Sequence, residues 1–139
     1  MSSFQSSSVA QGRQFAQQCD SLLGGYGYTL EGSRKVPGIG VEVDQIARSP
    51  GGTKVWFEYK GSIQGTRPGL LRTDTLKKAV ANGALIAGLE DHPPYIVLTS
   101  HLPTGGAGQE MLETANRLGY FADVVCIYDP KDQLRLKEL

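Results

Sequence analysis

The sequence predicts an α/β (α+β) domain, a mixed central sheet flanked by helices. Three observations predict it. An amphipathic stretch with apolar residues at three- and four-residue spacing comes first, short alternating segments joined by turn-rich loops follow, and helix-like and strand-like segments then alternate to the end. The order helix, three strands, helix, strand, helix, strand describes an antiparallel meander followed by two crossover units. A chain of 139 residues is long enough for one real core and too short for two. Residues 1–7 are expected to form a disordered tail and residues 8–139 a single domain.

From about Ser8 to Leu23, Val9, Gly12, Phe15, Ala16, Cys19, Leu22 and Leu23 mark one face of a helix. Ser7 or Ser8 can cap its start, and Gly24-Gly25 can supply a left-handed stop. Tyr26 to Leu30 reads as a short first strand, and Glu31 to Gly40 as a loop carrying Arg34 and Lys35. Val41 to Ser62 reads as two alternating strands joined through the turn formers between Arg48 and Lys54. Gly61 to Arg72 is a loop with Arg67 and Arg72, of a length often functional and equally serviceable as a plain linker. Thr73 or Asp74 is expected to cap a helix through Leu76, Ala79, Val80, Gly83 and Ile86 to Gly88. A buried strand follows Pro93-Pro94, a helix spans Gln109 to Leu118 with Gly119 as its stop, and Val124 to Tyr128 is a last apolar strand.

Composition narrows the function. The chain is 40% hydrophobic and 20% charged, with no apolar run near the roughly 20 residues of a membrane span, so no membrane partner is expected. The first residues carry neither a basic start nor an apolar core, which makes the cytoplasm the expected compartment. Cys19 and Cys126 lie far apart and read as small buried hydrophobes rather than a disulfide or a metal site. The formal net charge is zero, yet from Arg34 to Lys78 nine basic residues face four acidic ones, and beyond Ala79 four face eight. Positive charge gathers around the meander. That suits a polyanionic substrate, as it would a mixed solvated surface.

The acids of the meander carry the chemistry. Side chains two apart on a strand share a face, so Glu42 is expected beside Asp44, and Glu58 beside Lys60. If those faces coincide, three carboxylates and one ammonium converge. Packing does not require such a cluster, whereas metal-assisted phosphodiester hydrolysis uses one. Asp44, Glu58 and the backbone carbonyl of Tyr59 would offer oxygens to Mg²⁺, and Glu42 could serve a second ion or a metal-bound water. Lys60 could orient or deprotonate the attacking water, or stabilise charge in the transition state.

Asp44, thirteen intervening residues and Glu58-Tyr59-Lys60 resemble the PD-(D/E)XK nuclease superfamily. More closely, Glu42-Val-Asp44-Gln-Ile-Ala47 with Val55-Trp-Phe-Glu-Tyr-Lys60 is similar to small stand-alone members akin to Holliday junction resolvases. The resemblance covers roughly Ser8 to Ser100. It implies a restriction-endonuclease-like core and a Mg²⁺-dependent, or Mn²⁺-dependent, endodeoxyribonuclease. In that reading Asp44 and Glu58 are metal ligands, Lys60 the catalytic lysine and Glu42 an auxiliary acid. DNA is the implied partner, held by Arg34, Lys35, Arg67, Arg72, Lys77 and Lys78, with a homodimer or a targeting protein supplying specificity. Val43 stands where many relatives have proline. Many relatives also carry a first-helix glutamate near the metal, where Gln14 or Gln18 would here be a neutral substitute.

Plainer readings stand beside these. Glu58 and Lys60 could face solvent opposite a buried Val55, Phe57 and Tyr59, and Lys77 and Lys78 could be a solvated helix face. Trp56 lies on the Glu58 face, as packing beneath the site or as a base-stacking surface. His92 and His101 read as loop residues. A catalytically silent nucleic-acid-binding or assembly module on the same fold is the competing function.

Overall fold

The computed structural model describes residues 3–61 and 69–139, with side chains from residue 12 onward. A five-stranded sheet of order β1-β2-β3-β4-β5 forms the middle layer. Its strands are β1 (Thr29–Val36), β2 (Val41–Arg48), β3 (Lys54–Lys60), β4 (Tyr95–Thr99) and β5 (Asp123–Cys126). The first three are antiparallel; β3–β4 and β4–β5 are parallel. Helices α1 (Ser3–Gly25), α2 (Thr73–Ala87), α3 (Gly106–Arg117) and α4 (Pro130–Leu134) complete the fold. The expected mixed α+β sandwich is therefore what the chain adopts.

The sheet separates two cores. On one face Phe15, Cys19 and Leu23 of α1 pack with Ala47, Val55, Phe57, Leu98 and the C-terminal Leu136. On the other, Leu76, Ala79 and Ile86 of α2 and Leu112 and Ala115 of α3 pack with Val41, Val43, Tyr95 and Val97. Each fully buried Leu, Ile or Phe contributes about 2 kcal/mol. Because β3 and β4 are covered on both sides, β3 carries buried residues on both faces instead of the half-solvated alternation of an edge strand.

Several boundaries depart from the sequence expectation. α1 begins at Ser3, inside the segment expected to be a tail, and Ser7 and Ser8 are helical rather than caps. Its stop is Gly27, not Gly24-Gly25. The Tyr28 N–H reaches the Leu23 carbonyl and the Gly27 N–H the Gly24 carbonyl, both at 3.0 Å, with Gly27 at φ 87. β1 runs on to Val36, so Arg34 and Lys35 lie on a strand and only Pro37 to Gly40 make the turn. Gly32, at φ 95, allows this by forming a bulge opposite Ala47 and Ile46. Thr73 and Asp74 sit inside the first turn of α2, whose N-cap is Arg72 with no side-chain cap bond. α3 starts at Gly106, and its expected stop at Gly119 is left-handed, with φ 78. The sequence reading did not foresee α4, where Asp129 accepts from the Lys131 N–H ahead of Pro130. Most of the expected Gly61–Arg72 loop, with Arg67, lies outside the described residues.

Candidate active site

The site forms where the β2–β3 ladder ends. Gln45, Ile46, Ala47 and Arg48 pair with Phe57, Trp56, Val55 and Lys54. One step further on, Asp44 replaces backbone pairing with its side chain: Oδ2 accepts the Tyr59 N–H at 2.8 Å. The cause lies on the other edge of β2. Between Gly32 and Arg34 the β1 partner changes from Ile46 to Val43, so β2 carries an extra residue around Asp44 and Gln45. The bulge turns the Asp44 carboxyl towards β3, beside the Glu58 carboxyl.

Glu58 is only 2% exposed, on the face covered by α2. Burying a lone carboxylate costs several kcal/mol, and three donors offset that cost. Lys60 Nζ lies 3.2 Å from Oε1, Asn82 Nδ2 of α2 lies 3.3 Å from Oε2, and the Tyr95 hydroxyl of β4 donates to the same Oε2. Tyr95 is held well above its ordinary pKa, first by burial and then by the Glu58 charge. Asp44 is pushed up to about 7, first by burial, then by its hydrogen bond to Glu58 and by the Glu58 charge. The Tyr59 N–H and the Lys60 ammonium pull the other way and do not prevail. Asp44 therefore keeps its proton well above the usual carboxylate range, up to about pH 7.

No known protein family, curated protein or solved structure matches the chain. Its chemistry is read from the geometry of its own side chains. Asp44 and Glu58 offer hard oxygen donors, side by side, where a divalent cation would offset the charge that the proton on Asp44 offsets; the donor set fits Mg²⁺. Among the described residues no group of three or more His, Cys, Asp or Glu converges, so the pair stands with Lys60 and without a third acid.

Glu42 is not brought to this pair. It is exposed, between Val41 and Val43, which both enter the α2-side core, and its cross-strand neighbour is Lys35. The bulge at Asp44 and Gln45 breaks the two-residue alternation that would have put Glu42 beside Asp44. Gln14 and Gln18 are exposed on α1, which packs on the opposite face from Glu58, and Gln18 Oε1 accepts from the Tyr128 hydroxyl at 2.6 Å. The acid that α1 does contribute is Asp20. It accepts from the Tyr59 hydroxyl at 2.6 Å and from Gln45 Nε2 at 3.1 Å, while Gln45 Oε1 takes the Gly32 N–H at 2.6 Å. This network ties α1 to the residues that follow Asp44 and Glu58 in the chain.

The basic residues fall at one end of the sheet. α2 runs back along the sheet after β3, so its first turns, with exposed Arg72, Lys77 and Lys78, lie at the end where β3 reaches Lys60. Arg34 and Lys35, also exposed, reach the same end opposite Val43 and Glu42. Trp56 packs against the α2-side core, with its Nε1 buried and without a partner. His92 and His101 occupy loops. Tyr95 and Asn82 were missed by sequence reasoning. The one signal for Tyr95 was a hydroxyl heading an otherwise apolar strand, and for Asn82 a polar residue between Ala79 and Ile86 on a buried helix face.

Proposed function

We propose that this chain is a Mg²⁺-dependent endodeoxyribonuclease of the PD-(D/E)XK type, with Mn²⁺ able to replace Mg²⁺. The observation that supports it most is the adjacent Asp44–Glu58 carboxyl pair with Lys60 3.2 Å from Glu58, sited at the basic end of the sheet. Asp44, Glu58 and the Tyr59 carbonyl would hold the ion. When bound, it would lower the pKa of a water and offset charge on the phosphoryl oxygens. Lys60 orients the water or steadies the phosphate. The water oxygen bonds to phosphorus, the bond to the leaving sugar oxygen breaks, and that oxygen takes up a proton. Tyr95 and Asn82 fix Glu58, and Arg34, Lys35, Arg72, Lys77 and Lys78 attract the backbone.

A cytoplasmic setting fits the two free cysteines. Among the described residues no helix is long and apolar enough to cross a membrane. The test is cleavage of linear, nicked, branched and single-stranded DNA with Mg²⁺ or Mn²⁺, comparing wild type with Asp44→Ala. Metal-dependent cutting that disappears in the variant supports the reading. Binding without cutting on every substrate supports a second one, a silent nucleic-acid-binding module. That alternative has its own observation: both Glu58 oxygens already engage protein donors.

A further inference from the structure

α3 buries Leu112 and Ala115 and carries a second stripe that is exposed except at Met111, which is half-buried against the α2-side core. Ala107, Met111, Thr114 and Leu118 follow at spacings of four, three and four residues, the repeat of a helix–helix seam. Leu118 is 57% exposed at the end of this stripe. The stripe borders an open groove of about 340 Å³, shared with Val80 of α2 and with Tyr120. Glu110 and Arg117 flank the seam on one side, seven residues apart, and neither forms an ion pair among the described residues.

We infer that the occupant of this groove is a second copy of the chain, with the two α3 helices antiparallel about a two-fold axis near Thr114. Antiparallel pairing sets Glu110 of each copy against Arg117 of the other, making two equivalent ion pairs. It also lays each Leu118 over the Ala107–Met111 end of the other helix, where the groove is open. A parallel seam would offer Glu110 only the uncharged Ala115, so the charges select the antiparallel sense. The helix spans 12 residues, about 18 Å, so the contact is smaller than a permanent interface and the dimer is weak, with Kd on the order of 0.1 mM. α3 runs opposite to the strands it connects. Pairing it with an inverted copy therefore puts the two basic ends at opposite ends of the dimer, and the candidate sites work separately.

Sedimentation velocity from about 1 µM to about 1 mM tests this, spanning that Kd on both sides. Wild type should shift from monomer to dimer, and Leu118→Glu should remain monomeric throughout. Glu110→Arg and Arg117→Glu should each weaken association by about tenfold, and the two together should restore it to within about threefold of wild type. Should Leu118→Glu fail to fold, by circular dichroism, the charge-swap set decides alone. A wild type monomeric at every concentration, a dimer that Leu118→Glu leaves intact, or a double swap no better than the single ones overturns the inference.

Discussion

Two clusters in this molecule have the same formal content, two carboxylates and one cation, and opposite arrangements. At the C-terminus Arg135 sits between its acids, 2.8 Å from both Asp123 and Asp132, and caps the Val124 carbonyl as well. The guanidinium is raised above its usual pKa, first by its hydrogen bond to Asp123. In the candidate site the cation is at one side: Lys60 contacts Glu58, and the two carboxyls contact each other. Arg135 is 40% exposed, whereas Glu58 is almost wholly buried. The first arrangement pins a C-terminal segment onto the sheet with the cation between its two acids. The second sets acid beside acid, and the proximity of Glu58 helps to keep the proton on Asp44 up to about pH 7.

The sharpest way to break this contrast is activity. If the unbalanced pair holds the catalytic ion, Asp44→Asn should reduce cleavage by about 10³-fold or more, while Arg135→Ala leaves it within a factor of about two. Equal losses in both variants, measured by single-turnover cleavage of the best DNA from the panel, would mean that the contrast has no catalytic content.

Stability should order the clusters next. Glu58→Ala leaves Lys60 without its carboxylate and the Tyr95 hydroxyl without its acceptor inside the core, a loss of about 3–5 kcal/mol. Arg135→Ala removes a half-exposed, solvent-screened network and should cost about 1 kcal/mol. Urea denaturation of the two variants compares them directly. A larger loss at Arg135 would show that the clamp, not the site, carries the buried electrostatics.

The contrast also has a pH signature. The raised pKa of Asp44 means that the folded state holds its proton up to about pH 7, whereas the unfolded chain releases it near 4. Folded protein thus binds more protons in that window, and stability falls as pH rises through it. Asp44→Asn keeps an oxygen for the Tyr59 N–H and removes the charge, so it should flatten the fall and be about 2 kcal/mol more stable than wild type at pH 8. Arg135→Ala, which leaves Asp44 and its neighbours in place, should leave the slope unchanged. Denaturation midpoints between pH 5 and 8 provide the measurement.

How far the sequence revealed each cluster follows from locality. Periodicity exposed the helix faces around Phe15 and Leu76, and turn residues exposed the β2–β3 hairpin, because those signals sit within a few residues of their effect. Asp44, Glu58 and Lys60 were legible for the same reason: they lie on one hairpin. The bulge was not, since it depends on how β1 pairs with β2, and it alone moves Glu42 off the Asp44 face. Tyr95 reaches Glu58 across 37 positions and Asn82 across 24, contacts that follow from sheet order and not from any local pattern. Asp20 gave no local signal, because its partners Tyr59 and Gln45 lie 39 and 25 positions away. The clamp was invisible because Asp123 and Arg135 meet only after α4 folds the chain back.

The smallest predicted effect isolates the ion itself. A divalent cation between Asp44 and Glu58 must displace the proton that Asp44 holds up to about pH 7, so binding should strengthen as pH passes through that value. At about 10 mM Mg²⁺ a site of millimolar affinity stabilises the folded state by about 1.4 kcal/mol, or roughly 5 °C in melting temperature for a domain of this size. Thermal melts at pH 6 and pH 8 should then show a larger Mg²⁺ shift at the higher pH in wild type. Arg135→Ala should behave in the same way, and Asp44→Asn should show no shift at either pH. This readout needs neither DNA nor turnover, which separates it from the cleavage assay. A Mg²⁺ shift that survives in Asp44→Asn would place the ion elsewhere and leave the Asp44–Glu58 contact as a cost carried by the fold.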